Sequence, residues 1–166
     1  MGKKTKEERT NAVRLITAKG IPCELHRYDV SDGFHGGAEA AQKTGMNPDM
    51  VFKTLVLQGH SREHYVCVIP VLCELDLKKA ARYFGEKSVE MIHEKELLPL
   101  TGYVKGGCSP VGMKKLFATA IHSSARELDR FCISGGKVGL QMVVPPEELA
   151  ALIGAGFTDL IRERTV

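Results

Sequence analysis

The sequence predicts an α+β fold: one curved mixed sheet or barrel of about seven strands, flanked by short helices. Three observations carry that expectation. Strand-like and helix-like stretches follow one another without the regular alternation of βαβ units. The helical stretches are short, and several end on a glycine, at Gly20, Gly45 and Gly85. The chain has 166 residues, enough for one domain with a core of its own, so a single unit over 1–166 is expected.

The elements follow in order. Thr5 and Glu8 have the spacing of a capping box, and the helix behind them runs to about Lys19 before Gly20 stops it. Pro22 opens a strand over 23–28, in which Cys23, Leu25 and Arg27 alternate with Glu24, His26 and Tyr28. A short helix over 38–44 ends at Gly45. The clearest strands are 51–58 and 65–71, β-branched and apolar, joined through a polar turn at 59–63. Asp76 caps a helix that continues to Phe84 and stops at Gly85. A strand over 88–92 precedes a short helix over 93–98, and Tyr103 and Val104 lead into a glycine turn at 106–110. Residues 116–122 alternate as a strand. Residues 131–134 and 140–144 are expected as a hairpin about Gly135-Gly136, and Pro145-Pro146 starts the last helix.

Composition removes whole classes of function. Hydrophobic residues make up 43% and charged residues 26%, which excludes disorder, collagen and coiled coil. The longest apolar runs, such as 66–71, fall short of the roughly 20 residues that cross a membrane. The charged N-terminus is not followed by the apolar stretch of a secretory signal, so a cytoplasmic protein is expected. Lys and Arg number 23 against 20 Asp and Glu, a net charge of +3; this permits a nucleic-acid partner without requiring one. The five cysteines include no C-x-x-C pair and read as reduced, buried small hydrophobes. No histidine spacing suits a metal, and no phosphate-loop, dinucleotide or serine-elbow motif occurs.

Two places could carry chemistry. Lys53 shares a strand face with Val51, Leu55 and Leu57. A lysine there is either an edge-strand gatekeeper with a snorkelling stem, or a fixed positive charge at the mouth of a pocket. Thr54 should point to the opposite face, so that only its backbone could join the same site. Gly106-Gly107-Cys108-Ser109-Pro110 is either a tight turn or a nest of exposed N–H groups able to hold an oxyanion. Cys108 could be a nucleophile, although no histidine lies near it in sequence. Ser134-Gly135-Gly136-Lys137 has the composition of a hairpin turn, and Lys78-Lys79 and Lys114-Lys115 that of solvated faces.

Taken together, three blocks resemble the YbaK family. They are Phe52-Lys53-Thr54-Leu55, preceded by Ala38-Glu39-Ala40-Ala41 and Gly45; Thr101-Gly102-Tyr103-Val104 running on to Gly106-Gly107, Ser109-Pro110, Gly112 and Lys114-Lys115; and Ser134-Gly135-Gly136-Lys137 with Gly139-Leu140, Pro145 and Leu149. The blocks keep their order over about 10–161. The resemblance implies a mixed barrel with surrounding helices and a free-standing aminoacyl-tRNA deacylase, related to the editing insertion of prolyl-tRNA synthetases. It implies removal of Cys from tRNA(Pro), and also from tRNA(Cys), with prolyl-tRNA synthetase as a possible partner and with no metal, cofactor or membrane. By position, Lys53 would be the essential lysine, Gly106 and Gly107 would face the ester, and Tyr28 would line the site with Thr54 and Ser109. Ser134 and Gly135 would lie near the 3′-terminal adenosine. Gln141 stands where some members carry aspartate, so no carboxylate role transfers. The implied mechanism is attack by the substrate's own thiol. The rivals are water-mediated deacylation of Ala-tRNA or another small aminoacyl ester, and a binding module without turnover.

Overall fold

The computed structural model describes residues 10–30 and 37–163. Five α-helices and eight strands lie among them, in two sheets. The expected capping box at Thr5 and Glu8 lies outside the described residues. The first helix, α1 (Asn11–Ala18), is capped by Thr10, whose hydroxyl oxygen accepts from Val13 N–H at 3.1 Å. That hydroxyl also donates to the Gly135 carbonyl, which ties the cap to a distant strand.

The remaining elements are β1 (Glu24–Arg27), α2 (Gly37–Thr44), β2 (Phe52–Gly59), β3 (His64–Pro70), α3 (Leu77–Phe84) and β4 (Val89–Met91). Then come α4 (Glu94–Thr101), β5 (Ala118–His122), β6 (Phe131–Lys137), β7 (Leu140–Val144), α5 (Pro146–Ile153) and β8 (Gly156–Thr158). For α3 the local signals were sufficient: Asp76 accepts from the Lys78 and Lys79 N–H groups, and Gly85 closes the helix at φ +72°.

The strands form two sheets rather than one closed barrel. The order is β1-β7-β6 in one and β4-β2-β3-β5-β8 in the other. The smaller sheet is antiparallel; the larger is mixed, with β5 parallel to both β3 and β8. An isolated bridge between Val51 and Cys132 links the two just before β2 begins. The main core lies between the sheets, where Phe52, Val56 and Val68 meet Phe131, Ile133 and Met142. Phe52 and Phe131 pack edge to face at 5.2 Å. The other face of the larger sheet is covered by α3 and Leu160. Outside the smaller sheet, Cys132 and Val143 pack with Ala41, Val51 and Val71.

The expected turn at Gly135-Gly136 is instead part of β6. The strand runs on to Lys137, and its register with β7 shifts between Ser134 and Lys137. Gly136 sits at φ +102°, while a Cβ on Gly135 would lie 2.7 Å from Leu140 Cγ. The glycines therefore absorb a bulge, and the chain reverses through Gly139 at φ +90°.

Candidate active site

Where β2 begins beside the β6–β7 hairpin, the two sheets leave a cavity of about 240 Å³. From β2 it is lined by Phe52, Lys53, Thr54 and Leu55, and from the hairpin by Ser134, Leu140 and Gln141. Tyr28 closes it behind β1, and Lys105, Gly106 and Cys108 reach it from the loop after α4. Two larger hollows, about 540 Å³ around His60 and about 650 Å³ around His122, contain none of the residues expected to be catalytic or substrate-binding, although Lys79 and Cys73 line the second.

Lys53 is half-buried in this wall. Among the described residues no carboxylate comes within 4.0 Å of its ammonium. Burial holds its pKa below the usual lysine value, partly opposed by the fields of Cys73 and Glu74. A partly desolvated cation with no neutralising partner among the described residues suits a site that receives negative charge. Thr54 borders the cavity, and its Oγ1 is buried with no hydrogen-bond partner among the described residues. β2 stays in register with β3 through these residues and keeps its alternation, Phe52 and Val56 packing between the sheets and Leu55 and Leu57 on the other face. Lys53 and Thr54 both border the hollow.

The glycine loop is held rigidly from behind. Tyr103 hydroxyl donates to the Val111 carbonyl at 2.7 Å, and Tyr103 N–H donates to Thr101 Oγ1 at 3.0 Å. Ser109 is fully buried, and its Oγ accepts from Val111 N–H at 3.3 Å. Ser109 therefore shapes the loop and is not among the cavity-lining residues. Gly107 is not among them either. Its N–H donates to the Val104 carbonyl at 2.9 Å, and an added Cβ would lie 2.7 Å from Val138 N and 2.8 Å from Lys137 Cα. Gly107 lets the loop sit directly on the β6–β7 turn. Gly106 does line the cavity, at φ +84°, and no backbone acceptor among the described residues takes its N–H. Of the expected pair, Gly106 faces the hollow and Gly107 supports it.

Cys108 is 7% exposed, and burial pushes its thiol up to about 12. It stays protonated near neutrality and lacks the thiolate a nucleophile needs. Tyr28 is half-buried; its N–H donates to the Gly139 carbonyl at 3.0 Å, and burial raises its phenol above the usual range. Ser134 lines the cavity and accepts from Gly136 N–H at 3.1 Å, whereas Gly135 lies behind it against Leu140. Sequence reasoning passed over Gln141 as a site residue. It is 6% exposed, lines the cavity, and has an unpartnered Oε1. The signal was present, since Gln141 is the one polar residue in the otherwise apolar Leu140–Val144.

Comparisons with known proteins bear on this site. The model of the aminoacyl-tRNA editing domain matches residues 34–152. A protein of Enterococcus faecalis, assigned by name as the Cys-tRNA(Pro)/Cys-tRNA(Cys) deacylase EbsC, is 38% identical over 160 residues, covering 96% of this chain and 98% of that one. A crystal structure described as a trans-editing enzyme for prolyl tRNA synthetase superposes with a TM-score of 0.80 at 26% identity, covering 93% of this chain and 99% of the other. The hypothetical protein APE2540 shares the fold, with a TM-score of 0.83 at 24% identity over 92% of this chain and 100% of its own.

Proposed function

The chain belongs to the aminoacyl-tRNA editing domain family, and on that premise we propose that it is a free-standing deacylase clearing Cys from mischarged tRNA(Pro). Cys-tRNA(Cys) is a second substrate of the same chemistry. The whole chain, 1–166, acts as one editing domain in the cytoplasm, on the product of prolyl-tRNA synthetase. No described helix is long and apolar enough to cross a membrane.

The observation that supports this reading is Lys53, half-buried, without a carboxylate partner among the described residues, and lining a small, largely apolar cavity together with Gly106. In the proposed reaction the substrate's cysteine sulfur attacks its own ester carbonyl. An S–C bond forms and the C–O bond to the terminal ribose breaks. The thiol proton passes to the ribose oxygen, and water later opens the released thiolactone to cysteine. The protein supplies position and charge. Lys53 holds the terminal phosphate or the ester, and Gly106 N–H donates to the developing oxyanion. Tyr28 and Ser134 hold the terminal adenosine, while Gly107, Ser109 and Gly135 keep the walls in place.

Water-mediated deacylation of Ala-tRNA is the second reading; the small cavity favours it as well. A module that binds tRNA without turnover would need neither an unpaired lysine nor a bare N–H beside it. Deacylation of Cys-, Ala-, Ser- and Pro-tRNA(Pro) by the purified protein separates the three. Cleavage of Cys-tRNA alone supports the proposal, preference for Ala-tRNA supports the second reading, and no cleavage leaves the binding module.

A further inference from the structure

Among the described residues, two cations border the cavity and no carboxylate does. Lys53 is the half-buried one. Lys105 is its opposite: its side chain is 73% exposed, and its ammonium stands 3.4 Å from Glu94 Oε1, on a side chain itself 70% exposed. A pair so exposed contributes little and opens readily. Lys114 and Lys115, later in the same loop, do not border the cavity. Lys114 donates to the Pro99 carbonyl at 3.4 Å, and Lys115 lies over the Phe117 ring at 5.9 Å.

The backbone fixes Lys105 relative to the chemistry. The bond from Gly107 N–H to the Val104 carbonyl, at 2.9 Å, closes a β-turn whose two central residues are Lys105 and Gly106. Gly106 has φ +84° and Lys105 no positive φ, the pattern of a type II turn. Lys105 and the Gly106 N–H therefore share one planar peptide at the apex of the turn. Under the deacylase reading, on which this inference rests, that N–H meets the ester on the terminal ribose. The phosphate on the 5′ side of the same nucleotide is joined to the ester through that ribose alone, so it must lie close to the same apex. A phosphodiester keeps its negative charge at neutral pH and stays in contact with water. An exposed, flexible, strongly hydrated ammonium suits it better than a half-buried one.

We infer that Lys105 is a substrate-binding residue that takes the phosphate on the 5′ side of the terminal adenosine, exchanging Glu94 for it. Lys53 is then left to the ester. The two cations serve two different charges. One is permanent and sits at the mouth of the cavity; the other develops inside it only during cleavage. Glu94 has an effect of the opposite sign, since it occupies Lys105 until the phosphate arrives and so weakens binding.

The test compares Cys-tRNA(Pro) with the same ester on a tRNA whose last phosphodiester, between its two 3′-terminal nucleotides, is replaced by a neutral methylphosphonate. Wild-type kcat/KM should favour the charged substrate by about tenfold or more, the scale of a hydrogen bond to an ion. Lys105→Met, at a side chain with little packing to lose, should bring that ratio to about two or three. It should also flatten the fall of log(kcat/KM) with log salt by about 0.7, the slope of one single-stranded phosphate contact. Glu94→Gln should raise the ratio by about two- to threefold, the scale of an exposed ion pair. Lys53→Met should slow both substrates and keep the ratio. A wild-type ratio near one, or a ratio that survives Lys105→Met, overturns the assignment and leaves the deacylase reading standing. A ratio that falls in Lys53→Met instead gives the phosphate to Lys53 and overturns it as well. A wild-type protein that cleaves neither substrate overturns both readings.

Discussion

Replacing Lys53 by Met separates what this residue does for the reaction from what it does for the fold. Met keeps an apolar stem of similar reach and removes the ammonium. No carboxylate among the described residues lies within ion-pairing distance, so no described salt bridge is lost. Burial lowers the lysine pKa from its ordinary 10.5. The folded chain therefore binds that proton less tightly than the unfolded one, and the charge opposes folding at neutral pH. This penalty fades as pH rises through the lowered pKa toward 10.5. Lys53→Met should thus melt at or above the wild-type temperature at pH 7, and its advantage should shrink by about pH 10. Turnover should move the other way. Losing one oriented charge or donor at a developing oxyanion costs about 2.7–4 kcal/mol, or 10²–10³ in rate. Calorimetry at the two pH values and single-turnover deacylation of Cys-tRNA(Pro) read both effects. A variant that keeps wild-type turnover, or that loses more than about 4 °C at pH 7, roughly 1 kcal/mol or more for a domain this size, would refute the reasoning.

Three further substitutions probe the loop. Gly107→Ala places a Cβ 2.7 Å from backbone at Val138, an overpacking that should cost about 1–3 kcal/mol and lower Tm by roughly 2–12 °C, read by thermal melts. Gly106→Ala forces an L side chain into φ +84° at the cavity itself. It should lower kcat by tenfold or more in the same deacylation assay, and full activity would reduce Gly106 to an ordinary turn residue. Cys108→Ala should keep turnover on Cys-tRNA(Pro) within a few-fold. In the wild type, iodoacetamide should leave this thiol unmodified at pH 7, since burial raises it to about 12. A trapped aminoacyl group on Cys108 would contradict the substrate-thiol route.

Much of the fold was legible where local chemistry decides the structure. Asp76 and Gly85 mark both ends of α3, and the β-branched, apolar runs about a polar turn identify β2 and β3 as paired strands. Tertiary context decided the rest. Gly135-Gly136 has turn composition, yet Leu140 packed over Gly135 keeps the strand going and moves the turn to Gly139. The three residues of β8 show no period, and only the exposed edge of β5 makes them a strand. Pro99 should have ended α4, but the helix continues to Thr101, whose hydroxyl donates to the Leu97 carbonyl at 2.7 Å. At the site, Lys53 was legible as a charge on an apolar strand. Gln141 carries the same kind of signal in β7, but a neutral amide among apolar residues attracts less notice than a charge. The division of labour between Gly106 and Gly107 was not legible, because it depends on which N–H the Val104 carbonyl takes.

The central claim is that the substrate's thiol performs the cleavage on a platform built from Lys53 and Gly106. Single-turnover deacylation of Cys-tRNA(Pro) beside Ser-tRNA(Pro), which differs by one atom, tests it most directly. The account predicts that Cys-tRNA(Pro) is cleaved at least a hundredfold faster, roughly 2.7 kcal/mol of transition-state discrimination, with the thiolactone as first product. Equal rates on the two esters, with free amino acid released directly, would contradict it.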